Sequence, residues 1–182
     1  MKAKIERAKK TNFLNIKDFK ITSLPDEVFT LVNLKTLIIS GNPIRALPEK
    51  LSNLKELQVL HAANCQIEDG GFPESVASAL VELKELNLSQ NLLTNVDEFI
   101  TKFPKLKMVN LSENDIMSIP EDAIYPESLT QINLQKNNLS TIPESFADLP
   151  NLKFLRISGN NFDQDMVDAI NKQGPAALKK FF

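Results

Sequence analysis

The chain lacks much of what enzymes and secreted domains rely on. Its 182 residues include no Trp, one Cys, one His, one Tyr and five Gly. A single Cys excludes an intrachain disulfide framework. A single His, His61, excludes a His-based metal cluster and leaves no second imidazole to activate a Ser, Cys or Asp. The glycines never form a G-x-G-x-x-G or phosphate-loop pattern. No apolar run approaches the roughly 18 residues of a membrane-spanning helix. The start, MKAKIERAKK, is positive but carries no apolar signal region, no Met-Gly for myristoylation, and the C-terminus has no Cys to prenylate. These absences lead to the expectation of a cytoplasmic chain, with the nucleus as the alternative compartment. They also lead us to expect no enzymatic activity, cofactor, metal or small-molecule substrate. With 42% apolar residues and a net charge of −2, the composition argues against disorder.

Two residue types are abundant: there are 25 Leu and 18 Asn. Their placement shows a repeated frame, L-x-x-L-x-L-x-x-N-x-L. It occurs as LKTLIISGNPI from Leu34, LQVLHAANCQI from Leu57, LKELNLSQNLL from Leu83, LKMVNLSENDI from Leu106, LTQINLQKNNL from Leu129 and LKFLRISGNNF from Leu152. The Asn slot is filled by Asn42, Cys65, Asn91, Asn114, Asn137 and Asn160, in steps of 23, 26, 23, 23 and 23 residues. Counting back 23 from Asn42 reaches Phe19 in a degenerate first unit, FLNIKDFKI. Four units add Pro six residues past the slot, at Pro25, Pro48, Pro120 and Pro143, each followed by an acid.

This pattern resembles the leucine-rich repeat family. The 23-residue unit with Pro in its second half is similar to the intracellular Ras-group-related class. The unit from Cys65 departs, with 26 residues and a Gly70-Gly71 turn. The resemblance implies an α/β solenoid: a right-handed superhelix, a parallel sheet on the concave face, and short helices or 3₁₀ segments on the convex face. Physical reasoning leads to the same place. L-x-L alternation gives a short strand with its Leu on one face. One strand per 23 residues cannot close a tight hairpin, so successive strands stack in parallel. Pro-acid suits the start of a short helical segment on the return path. An Asn at each strand exit can satisfy buried backbone groups of its neighbours, making a structural ladder of Asn42, Cys65, Asn91, Asn114, Asn137 and Asn160. Cys65 is read as a rung and not as a nucleophile, because a thiol tolerates burial.

A stack has two open ends that need covering. We take residues 1–182 as one domain. Residues 1–20 are the N-terminal cap and degenerate repeat, 21–162 the repeat core and 163–182 a C-terminal helical cap. In the first cap Ile5 and Ala8 turn inward; in the second Met166, Val167, Ile170, Leu178, Phe181 and Phe182 are the anchors. Residues 1–20 hold seven basic and two acidic residues, net +5, which leaves −7 for the remainder.

The positions between the core leucines line the exposed sheet face. From them we take Ile38, Val59, His61, Glu85, Asn87, Met108, Asn110, Gln131, Asn133, Phe154 and Arg156 as the partner-binding residues. A third row, which includes Ser40, Ser89 and Ser112, is expected to be exposed beside them. Asn87, Asn110 and Asn138 open N-x-S sequons, but N-L-S falls out of the repeat and no glycan is expected. Apolar anchors among polar groups suit a protein interface, and the resemblance implies a non-enzymatic scaffold that binds a protein partner in intracellular signalling. The alternative is a nuclear, RNA- or DNA-associated structural protein that uses its basic N-terminus. Nucleic acid is the weaker expectation, because the face carries no interleaved basic and aromatic residues.

Overall fold

The computed structural model describes residues 1–96 and 98–182. Each frame, the degenerate one included, forms a strand of three residues. These are β1 (Phe13–Asn15), β2 (Thr36–Ile38), β3 (Val59–His61), β4 (Glu85–Asn87), β5 (Met108–Asn110), β6 (Gln131–Asn133) and β7 (Phe154–Arg156). They pair in chain order, all parallel, in one seven-stranded sheet. The middle residues, Leu14, Leu37, Leu60, Leu86, Val109, Ile132 and Leu155, lie in register and are all buried. Ile16, Ile39, Ala62, Leu88, Leu111, Leu134 and Ile157, two residues on, form a second buried row. Alternation thus puts the core on one side of the sheet and frees the other.

Every strand leaves through the same turn. The residue before the Asn slot has positive φ in all seven units: Asp18, Gly41, Asn64, Gln90, Glu113, Lys136 and Gly159, from 53° to 76°. Five of the seven are not glycine, although left-handed backbone strains an L-residue. The slot amide explains why the turn is held. Asn114 Nδ2 donates to Leu88 O and Leu111 O, each at 3.0 Å, while its Oδ1 accepts from the N–H groups of Asn91 and Leu93, each at 3.2 Å. Asn91, Asn137 and Asn160 repeat the pattern, each spanning its own unit and the one before it. Asn42 ties Ile16 O, Ile39 O and the Ile21 N–H in the first unit.

Cys65 is fully buried in the slot, and its Sγ donates to Ile39 O at 3.4 Å and Ala63 O at 3.5 Å. A thiol offers no carbonyl-like acceptor. Ile44 N–H, whose counterparts Ile67, Leu93, Ile116 and Leu139 bond to the next slot amide, instead folds back onto Asn42 O at 2.7 Å.

The return path opposite the sheet is helical in most units. Three 3₁₀ segments, Asp26–Thr30, Glu49–Asn53 and Glu144–Asp148, start directly after Pro25, Pro48 and Pro143. The unit after Cys65 carries an α-helix there, residues Glu74–Ala79, following Pro73. A further 3₁₀ segment spans Glu98–Lys102. Pro120 departs from expectation, because no helical segment follows it. Pro126 disfavours helical backbone at the residue before it. It stands where Leu31 and Leu54 close their segments by N–H bonds to Val28 O and Leu51 O, and Pro has no N–H to give. Tyr125 fills that side instead, and its hydroxyl donates to Pro120 O at 2.6 Å.

Helices lie at both ends. Lys2–Thr11 buries Ile5 and Ala8 and ends at Asn12 in the left-handed conformation. Its cap N–H bonds Ala8 O. Gln164–Gln173 buries Val167 and Ile170, with Met166 packed beside them. The closing 3₁₀ segment Pro175–Lys180 buries Pro175, Ala177 and Leu178. Phe181 and Phe182 lie beyond it and are exposed, so they do not anchor this end as the sequence suggested. The tight segment already fills the space with smaller groups.

Asp69 bridges two turns on the return side. Its Oδ1 accepts from Thr94 N–H at 2.8 Å and Asn95 N–H at 3.3 Å, and its Oδ2 from the Thr94 hydroxyl. Desolvation is the largest single influence and raises its pKa. The hydrogen bonds from Thr94 and Asn95 together outweigh it and hold the carboxyl below its ordinary value.

Three predictions test these contacts. Asn114→Ala leaves the buried N–H groups of Asn91 and Leu93 without an acceptor, and we expect a loss of about 2–5 kcal/mol. Cys65→Asn supplies the missing acceptor to Ile44 N–H, with a gain of about 1 kcal/mol. Urea unfolding of both variants checks this, and shifts in the same direction would refute the ladder. For Asp69, a depressed folded pKa gives stability that is fully present above the usual carboxylate value of 3.8. That stability is lost as pH falls through the lower folded value. Between about pH 5 and about pH 3 the urea midpoint should fall further for wild type than for Asp69→Asn. Parallel curves would show that the bridge contributes nothing.

Candidate partner-binding face

Two rows of side chains project from the open side of the sheet. The first is Phe13, Thr36, Val59, Glu85, Met108, Gln131 and Phe154; the second is Asn15, Ile38, His61, Asn87, Asn110, Asn133 and Arg156. Every residue assigned to the face from sequence lies in one of these rows. Strand spacing of ~4.8 Å makes the sheet about 29 Å wide. Phe13, Met108 and Phe154 are the exposed large apolar side chains of the face, at 47%, 37% and 57%. Ile38 and Val59 are half-buried on neighbouring strands.

The third row differs from expectation. Ser40, Ser89 and Ser112 are buried. The chain turns away from the face directly after each three-residue strand, and the serines close that turn. Ser89 donates its N–H and its hydroxyl to Asn87 Oδ1 at 3.0 and 2.8 Å. Ser112 treats Asn110 the same way at 3.1 and 2.8 Å, and Gln135 N–H donates to Asn133 Oδ1 at 3.1 Å. The Asn row therefore presents its amide N–H₂ groups outward, while its oxygens are committed to the turns.

His61 and Glu85 form the one ion-pair geometry among the described face residues, with Nε2 to Oε1 at 2.7 Å and both side chains about two-thirds covered. Their pairing runs diagonally, because His61 is opposite Asn87 and Glu85 opposite Val59. Open hollows flank the sheet. One of about 350 Å³ at the β1 end is lined by Lys4, Arg7, Thr11, Phe13 and Asn15. Another of about 330 Å³ at the β7 end includes Lys153, Phe154 and Arg156.

Cys65 lies away from this face among core leucines. Burial pushes its thiol pKa up, against smaller opposing effects from the Asn42 and Gly41 backbone, so at neutral pH it is a protonated structural thiol. The basic N-terminal helix is partly engaged with its own chain: Lys4 Nζ donates to Asn15 O and sits over the Phe19 ring, and Lys9 pairs with Glu6. One row escaped the sequence reading. The residue after the first Leu of each frame also borders the face, and its signal was the recurring Leu-Lys pair at 34–35, 83–84, 106–107 and 152–153.

A family model described as "Leucine rich repeat" matches residues 11–67 and 104–162, and one described as "Leucine Rich repeats (2 copies)" matches residues 55–100. "Plant intracellular Ras-group-related LRR protein 8" of Oryza sativa subsp. japonica is 30% identical, over 52% of this chain and 25% of its own length. "Protein flightless-1 homolog" of Mus musculus is 33% identical, over 52% of this chain and 9% of its own length. The chain thus spans a quarter or less of these relatives. Among solved structures, a TDR receptor superposes with a TM-score of 0.66 at 30% identity, covering 77% of this chain and 25% of the receptor chain. Internalin C2 from Listeria monocytogenes superposes with a TM-score of 0.68 at 20% identity, covering 88% and 76%. At that identity the internalin likeness concerns the fold alone.

Proposed function

Because the chain belongs to the leucine-rich repeat family, we propose that it is a non-enzymatic scaffold that binds a protein partner on the exposed face of its sheet. The observation that carries this reading is the first outward row. Its Phe13, Val59, Met108 and Phe154 stand on the solvent side of a sheet whose other side already holds the core. Folding does not require apolar groups there. Rigid strands hold them in register, so a partner meets them with little ordering cost. The central His61–Glu85 pair and the outward amides of Asn87, Asn110 and Asn133 supply polar groups around them, the arrangement of anchors and rim that protein interfaces use. We place this role in intracellular signalling. The rice relative's name supports that setting.

Affinity purification with mass spectrometry tests the reading. Val59→Asp and Met108→Asp each put a charge at an apolar anchor without touching the core. We expect the co-purified partner to fall about thirtyfold, a hot-spot effect of about 2 kcal/mol. Thermal midpoints should stay near wild type. Lys50→Glu, on the helical side, should retain the partner. Equal recovery with both Asp variants would show that the face is not the binding site.

A further inference from the structure

The row that borders the face has a composition that folding does not explain. Backbone N–H groups of Gln58, Lys84, Lys107, Thr130 and Lys153 donate in succession to the carbonyls of Lys35, Gln58, Lys84, Lys107 and Thr130, at 2.8–2.9 Å. One residue per unit is thereby set side by side where the strands enter the sheet. Four of these six are Lys. At ~4.8 Å per strand the row from Lys35 to Lys153 spans about 24 Å.

These lysines differ from those on the helical side. Lys50, Lys102 and Lys179 pair with Asp26, Glu74 and Asp148. Lys35, Lys107 and Lys153 are exposed and Lys84 is half-buried. Among the described residues none of the four pairs with a carboxylate, and Lys84 Nζ donates only to Gln58 Oε1 at 3.0 Å. The acids nearest in sequence are engaged elsewhere: Glu82 with Lys105 at 2.5 Å and Glu85 with His61 at 2.7 Å. Glu56, two residues before Gln58, and Glu127, three before Thr130, are exposed acids on this flank that pair with no lysine of the row. One residue further along three of these strands lie the apolar anchors Val59, Met108 and Phe154.

We propose that this flank seats an acidic polypeptide segment with interspersed apolar side chains, laid across the strands. Its carboxylates sit over Lys35, Lys84, Lys107 and Lys153, and its apolar side chains rest on Val59, Met108 and Phe154. The inference rests on the face being the partner site and adds the partner's chemistry. An extended segment of about seven residues spans the row at ~3.4 Å per residue. At physiological ionic strength charges are screened beyond ~8 Å, so such a segment feels the lysines and not the net −7 that residues 21–182 carry. Single-stranded nucleic acid needs successive aromatic platforms, and Val59 and Met108 are aliphatic.

Fluorescence anisotropy on the full chain provides the test. The probes are a labelled peptide of Glu alternating with Leu and Phe, the same peptide with Gln for Glu, and labelled oligothymidine. The Glu peptide should bind at low salt and weaken as salt rises. Lys84→Gln/Lys107→Gln should weaken it about fivefold, as two screened surface pairs imply, and leave the Gln peptide unaffected. Lys50→Gln/Lys102→Gln should bind as wild type, and melting curves check that both variants fold. The inference is overturned if the Glu peptide fails to bind, or binds no better than the Gln peptide. It is equally overturned if Lys84→Gln/Lys107→Gln leaves binding unchanged, or if oligothymidine binds more tightly. If Met108→Asp loses the cellular partner while Lys84→Gln/Lys107→Gln keeps it, the face reading stands and the acidic partner falls. If both keep it, both fall.

Discussion

Each strand ends after three residues in a turn whose N–H and C=O groups point into a dry interior, and the structure depends on closing those groups. The slot amide of the next unit does so. It donates to two carbonyls and accepts from backbone N–H groups of the preceding turn. Because its partners in the preceding unit lie 21 to 29 residues away, it welds neighbouring units and not distant ones, which gives a solenoid its nearest-neighbour energetics. The cost of a left-handed residue before each slot is offset by the bonds that this conformation aims. The 26-residue unit follows from the same constraint. Its sheet side is pinned, so the additional residues go to the return path, where the Gly70-Gly71 turn leads into an α-helix. A Cβ on Gly71 would come within 2.7 Å of Arg45 O and Glu68 O, so the turn packs closely against the unit before it.

Where a residue type has one physical role, the sequence was readable. Leu at period two could only build strands with a buried side, and Asn in the slot could only be the buried amide. The ladder residues and both face rows were therefore legible by number, even across the irregular step at Cys65. Legibility failed where two roles compete. Ser89 looked like a surface residue, yet its hydroxyl serves Asn87 inside the turn. Pro120 carried the same start signal as Pro48, but a second proline six residues later disfavours helical backbone before it and lacks the N–H that closes the Pro48 segment. Phe181 and Phe182 looked like anchors because they are large. The end they border is already filled by Pro175, Ala177 and Leu178.

The candidate site was only half legible for a related reason. Period-two reading sorts strand residues into inside and outside, and it stops at the strand's edge. The Leu-Lys pairs sit one residue before the strands, where alternation assigns no face. Only the backbone ladder, with Gln58 and Thr130 between them, shows that Lys35, Lys84, Lys107 and Lys153 share one row. The His61–Glu85 contact was hidden likewise, because it joins the second position of one row to the first position of the next.

Charge is distributed with the same logic as shape. On the helical side, opposite charges face each other across units, as in Lys50 with Asp26 and Lys102 with Glu74. Such exposed pairs add little stability, but there each of these lysines meets a carboxylate of a neighbouring unit. On the sheet side the lysines meet no carboxylate, and Glu82 and Glu85 are turned to other partners. Lys84 and Lys107 are like charges one strand apart and repel, so the row is mildly unfavourable to folding, and nothing in the ladder or core requires it. The same holds for the solvent-facing Met108 and Phe154. Unpaired positive charge and exposed apolar surface thus coincide on the one side of the sheet that the core does not use, which is the physical ground for assigning binding to it.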